Sequence, residues 1–190
     1  MSSTRGGARL AGDPKDFIIV TDASPWGGGG FLLERGCHTE YFATSWPQSL
    51  RIGSMKVVAG LPKFQPFWEA VVVLQALILW ASGRGRQPFA VLSDCLAALA
   101  ATAGQKGKGA ITAVIREVAW RSARQQWNIF VGHLPSEANL VADALPRLEA
   151  PLAAAFPKEL EQARRRTPLS VECLWFALPE RGQPVSADVS

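Results

Sequence analysis

Between Lys63 and Arg84 the chain carries a single charged residue, Glu69. The stretch after it, Ala70 to Trp80, is apolar on every side of the helix it predicts, Gln75 excepted. A helix apolar all round is a buried helix, so the chain has to build other layers around it. Pro66 opens that helix, because a first turn tolerates proline. Glu69 then lies in the same turn, where an acid favours the helix dipole by about 0.3–1 kcal/mol. A lone carboxylate on a buried helix nevertheless has little access to open water unless it faces a site.

The remaining elements are short. Phe17 to Val20 is an apolar run rich in β-branched residues and predicts a strand. It ends in Thr21-Asp22-Ala23-Ser24-Pro25-Trp26, followed by a glycine loop, Gly27 to Gly30. Phe31 to Glu34 and His38 to Ala43 predict two more strands, and their short turns predict an antiparallel meander. Residues 45–65 read as irregular, with Pro47, Gly53, Gly60 and Pro62. Phe89 to Leu92 is a fourth strand and Leu96 to Ala103 an Ala/Leu-rich helix. A basic glycine loop with Lys106 and Lys108 leads to an amphipathic helix from Ile111 to Arg124. Trp127 to Val131 is a fifth strand, and Ser136 can cap a last helix reaching about Leu148. Residues 1–15 read as a loose leader, 16–150 as the domain, and 151–190 as a tail or linker with a basic helix over 158–166.

Charge is unevenly spread. Residues 51–133 hold 10 basic and 3 acidic groups, so the middle of the chain favours a polyanionic partner. Cys37, Cys95 and Cys173 are too few and too scattered for a disulfide framework or a zinc ribbon. The leader lacks the apolar segment of a secretory signal. The run Ala70 to Gly83 falls short of the roughly 20 residues that span a bilayer. These features predict an intracellular protein, cytoplasmic or nuclear, with no membrane partner.

Four acids stand out by position. Asp22 ends a strand, where an Asx turn before Pro25 would suit it. Asp94 lies between a strand and a helix, where it could be an N-cap. Asp143 lies four residues after Asn139 on one helical face. With Glu69 they come from four elements, each near an element end, and the ends of central strands converge in an α/β layer. Carboxylates gathered there repel unless cations neutralise them. Hard oxygen ligands suit Mg²⁺ or Mn²⁺, and two such ions can clamp a phosphodiester. The basic middle segment would then grip a nucleic-acid backbone.

The blocks T-D-A-S-P-W-G-G-G at 21–29, W-E-A at 68–70, S-D-C at 93–95 and G-H-L-P-S-E-A-N-L-V-A-D-A-L at 132–145 resemble the ribonuclease H domain of retroelement reverse-transcriptase polyproteins. The resemblance covers residues 16–150. It implies an α/β ribonuclease H-like fold, a five-stranded mixed sheet in βββαβαβα order with helices on both faces. It implies two-metal hydrolysis of the RNA strand of RNA–DNA hybrids, with Asp22, Glu69, Asp94 and Asp143 as metal ligands and His133 as a mobile proton carrier. Asn139 and the loop after Asp22, with Ser24, Trp26 and Gly27, would lie near the substrate strand. Cys95 would touch substrate too, and Lys106 and Lys108 would hold phosphate. A fused or separate reverse transcriptase is the implied partner.

The chain departs from that pattern at Cys95, where Ser or Asn is common, and at Pro146, which would strain or end the last helix just after Asp143. These 190 residues do not hold a polymerase. The alternative is a catalytically inactive nucleic-acid-binding module of the same fold. A 3′–5′ exonuclease of related architecture would want Asp-x-Glu on the first strand, and Ser24 fills the second acidic place.

Overall fold

The computed structural model describes residues 13–95, 98, 104, 109–148 and 155–177. The antiparallel meander forms from β1 (Phe17–Ala23), β2 (Gly27–Glu34) and β3 (Cys37–Ser45). β6 (Pro88–Ser93) joins β1 in parallel, and β7 (Asn128–His133) joins β6 in parallel. The expected mixed sheet is present, and a sixth strand extends it: β8 (Arg164–Arg165) lies parallel on the outer edge of β3. A separate hairpin of β4 (Ser49–Ile52) and β5 (Met55–Val58) stands where an irregular stretch was expected. Leu50 and Val57 are its buried residues. Gly53 opens its two-residue turn in the left-handed region, φ 56°, a conformation that two-residue hairpin turns need.

Gly27 to Gly30, expected as a loop, is the first half of β2. Glycine weakens a strand unless another chain segment must come close, and here two do. A Cβ on Gly28 would lie 2.4 Å from the Trp46 ring, and one on Gly29 would lie 2.4 Å from Leu145 Cβ. Local propensity gives way to packing on both faces of the strand.

Helix α1 (Gln65–Ala76) covers one face of the sheet and continues as a π-helical turn, Leu77–Ala81. Helix α2 (Ile111–Gln125) packs alongside it. Helix α3 (Leu140–Arg147) covers the opposite face. Alternation along β1 feeds both layers, with Phe17, Ile19 and Ala23 facing α1 and Ile18 and Val20 facing α3. The segment Pro62–Ala81 is long and apolar enough to cross a membrane by length and composition, but it is the mostly buried central helix of this fold. Gln75, a polar residue buried in this helix as Glu69 is, donates to the Leu169 carbonyl at 2.8 Å.

That contact belongs to the C-terminal segment. Residues 155–177 pack back on the domain, burying Leu160 on the α3 face and Val171 and Leu174 on the α1 face. The helix expected over 158–166 does not form. A 3-10 turn, Lys158–Leu160, and β8 stand there instead, because Arg166 is drawn to Glu40. Its guanidinium donates to both Glu40 oxygens at 2.6 and 2.7 Å, and the Trp80 indole N–H donates to the same carboxylate at 2.8 Å. The helix expected over residues 96–103 and the loop lysines Lys106 and Lys108 lie outside the described residues, apart from Ala98, which is buried.

Candidate metal and nucleic-acid site

Parallel register sets the first two acids. Val20 pairs with Leu92 across β1 and β6, so two residues further on Asp22 and Asp94 reach the same end of neighbouring strands. Glu69 joins them from the first turns of α1. One carboxylate oxygen from each of Asp22, Glu69 and Asp94 lies within 4.8 Å of the others. Asp22 and Glu69 are buried, at 5% and 3% exposure.

Burial is the main reason both carboxyls resist ionising. Asp22 is pushed up from 3.8 to about 8 by desolvation first, then by the charges of Asp94 and Asp143. Glu69 is pushed up from 4.5 to about 9 by desolvation first, then by the charge of Asp22. Gln65, one turn earlier on α1, partly opposes the second shift. Its side-chain amide donates to Glu69 Oε1 at 2.9 Å and to the Ala23 carbonyl, tying the helix to the end of β1. Glu69 Oε2 is buried without a hydrogen-bond partner among the described residues. Carboxyl oxygens crowded together, one of them unmatched, fit a hard divalent cation that would offset the cost of ionising them.

Asp143 stands beside this trio rather than in it. Its charge reaches Asp22, while its Oδ1 accepts from Arg147 at 2.7 Å, one turn along α3. Helix α3 does not end after Asp143. It runs through Pro146 to Arg147, since a proline in the last turn removes one N–H and leaves the earlier turn intact. Asn139 precedes α3, is 1% exposed, and has no partner for either polar atom of its amide among the described residues. His133 ends β7 in register with Ser93 and is exposed.

The turn after Asp22 is closed by Ser24, whose hydroxyl accepts from the Trp26 and Gly27 N–H groups at 3.2 and 3.1 Å. Trp26 is 47% exposed at the rim. Gly27 is buried, and a Cβ there would lie 2.5 Å from the Thr44 carbonyl oxygen, which is reason enough for glycine. The backbone N–H of Cys95 donates to Ser93 Oγ at 3.2 Å, and its side chain packs partly buried against the α1-side core. Gln65 and Arg147 were not foreseen, although each is four residues from its acid, the spacing at which helical side chains meet.

No family model and no curated protein matches the chain. Solved structures do. LC11-RNase H1 in complex with an RNA/DNA hybrid superposes at TM-score 0.52 with 17% identity, over 68% of this chain and 92% of that one. RNase H1 from the halophilic archaeon Halobacterium salinarum NRC-1 gives 0.48 with 15% identity, over 68% and 92%. The superposition on LC11-RNase H1 and the order of strands and helices agree: the chain has the ribonuclease H fold.

Proposed function

We propose that the chain is a metal-dependent endonuclease that hydrolyses the RNA strand of RNA–DNA hybrids. The observation that carries this reading is the set of three converging carboxylates, two of them raised to about 8 and 9 by burial and mutual repulsion. The likeness in fold to a protein seen with an RNA/DNA hybrid supports the choice of substrate. Asp22, Glu69 and Asp94 would hold two Mg²⁺ or Mn²⁺ ions, and Asp143 would turn from Arg147 to complete their ligands. What such ions supply when bound is activation of water and stabilisation of the leaving 3′-oxygen.

The chain's own groups do the rest. Gln65 orients Glu69, and the Asn139 amide offers unpaired donors and an acceptor to the substrate strand. His133 exchanges a proton with the leaving group, as an imidazole can near neutrality. Trp26 presents a ring face to a base or sugar. The hybrid is read by shape and 2′-hydroxyls rather than by sequence. The sequence blocks at 21–29 and 132–145 further support an origin in a retroelement reverse-transcriptase polyprotein, with a reverse transcriptase as partner.

Labelled hybrid incubated with the full chain tests the reading. Cleavage of the RNA strand is expected with Mg²⁺ and none with chelator. Hybrid binding with no cleavage in any divalent ion would leave only a binding module.

A further inference from the structure

From Tyr41 to Trp68 the chain has no acid, yet it carries Arg51, Lys56 and Lys63. The β4–β5 hairpin sets two of these cations directly opposite each other, since Arg51 pairs with Lys56. Like charges facing across an antiparallel pair destabilise it. Both side chains are exposed, on the face away from Leu50 and Val57. Among the described residues, no hydrogen bond or ion pair relieves either of them. A fold gains nothing from this pairing, and a polyanion laid across the face would turn the repulsion into attraction.

The hairpin is also fixed to the rim of the carboxylate site. The Gly60 N–H, two residues past β5, donates to the Pro25 carbonyl at 2.8 Å. The Trp26 ring lies against Gly60, so closely that a Cβ there would meet it at 2.6 Å. Trp46, just before the hairpin, donates from its indole to the Ser24 carbonyl at 2.9 Å. Its ring stacks on Trp68, the residue before Glu69. At the other end Met55 approaches Gly109, at the start of the segment leading into α2. The hairpin that carries the basic face is therefore tied at its base to the Trp26 turn at the rim of the site.

We propose that the β4–β5 hairpin is a second nucleic-acid contact, with Arg51 and Lys56 gripping phosphates of the duplex arm that extends past Trp26. This rests on the proposed hybrid substrate and deepens it, because it assigns binding to a surface outside the carboxylate site. The test is hybrid binding by the full chain in chelator, where cleavage plays no part, across a series of salt concentrations. Each lost phosphate contact shallows the log–log salt slope by about 0.9 for a B-form duplex. Arg51→Gln with Lys56→Gln is therefore expected to shallow it by up to about two and to weaken binding at low salt. The charge-keeping pair Arg51→Lys with Lys56→Arg should keep the wild-type slope, which separates charge from any change in fold. Removing a like-charge pair should leave the melting temperature of the Gln variant no lower than wild type. A Gln variant with the wild-type slope would overturn the hairpin contact while leaving the nuclease reading intact. A wild-type chain that binds but never cleaves overturns the nuclease and leaves the hairpin contact standing on the slopes.

Discussion

Two carboxyls that prefer to be neutral give the site a measurable pH signature. Asp22 and Glu69 titrate near 8 and 9 when folded, against 3.8 and 4.5 ordinarily. The folded state thus binds protons that the unfolded chain releases. Their contribution to stability is full below about pH 4 and is lost as pH rises through about 8 to 9. Asp94→Asn removes one of the charges that raise Asp22 without changing side-chain volume. In chelator this variant should melt at a higher temperature than wild type above pH 7, with the difference shrinking towards pH 5. Hybrid cleavage should fall well beyond the roughly 10–100-fold typical of groups that merely support metal ligands. Thermal melts at three pH values and one rate assay check both arms, and near-wild-type turnover would remove Asp94 from the site. The sequence exposed these acids because each sits near the end of an element and within a motif block, and Glu69 is the lone charge on a buried helix. It did not show that Arg147 holds Asp143, since a surface i,i+4 pair looks the same wherever it occurs.

At the level of elements, the glycine strand decides how near α3 can come to the sheet. Asp143 is on α3, and α3 presses Leu145 onto Gly29. Gly29 pairs with Asp22 across β1 and β2, so one contact sets the spacing of two acids. Gly29→Ala puts a methyl group where Leu145 Cβ stands. Overpacking of this kind costs typically about 1–3 kcal/mol, and lifting α3 would move Asp143 away from Asp22. The expected result is a lower denaturant midpoint together with a raised Mg²⁺ requirement for cleavage. A variant with normal stability and normal metal dependence would show that α3 is not held by this contact. Four glycines in a row read as a loop because nothing in their local sequence favours a strand. The information is in Leu145 and Trp46, distant in sequence, and no window along the chain contains it. The hairpin was obscured for the same reason, its alternation broken by Pro47, Gly53 and Gly60 on either side or in the turn.

Across the whole molecule, the strongest departure from the sequence reading is at the C-terminal end. The central strands, the buried helix and the trio of acids were legible because period, apolarity and motif spacing are local signals. Leu160, Val171 and Leu174 follow no period of 2 or 3.6, so no local pattern placed them in the core. Yet they are 1%, 3% and 0% exposed. They are backed by the Arg166–Glu40–Trp80 network and by the Phe176 N–H, which donates to Glu117 at 3.4 Å. Glu117 is itself buried and paired with Arg121 at 2.7 Å, and Arg121 lies over Trp175. Arg121 thus holds a buried acid, whereas Arg124 lies over the exposed Trp120 ring on the surface of α2. Removing a buried leucine side chain costs about 2–5 kcal/mol, and a whole domain is stable by only about 5–15 kcal/mol. A chain ended before Phe156 loses two buried leucines and a buried valine and uncovers the outer edge of β3. It should therefore fail to give a cooperative melt, while Leu174→Ala alone melts cooperatively with stability lowered by about 2–5 kcal/mol. Urea titration of both proteins beside the full chain checks this. A shortened chain with the wild-type midpoint would show that residues 156–177 only rest on a domain complete without them.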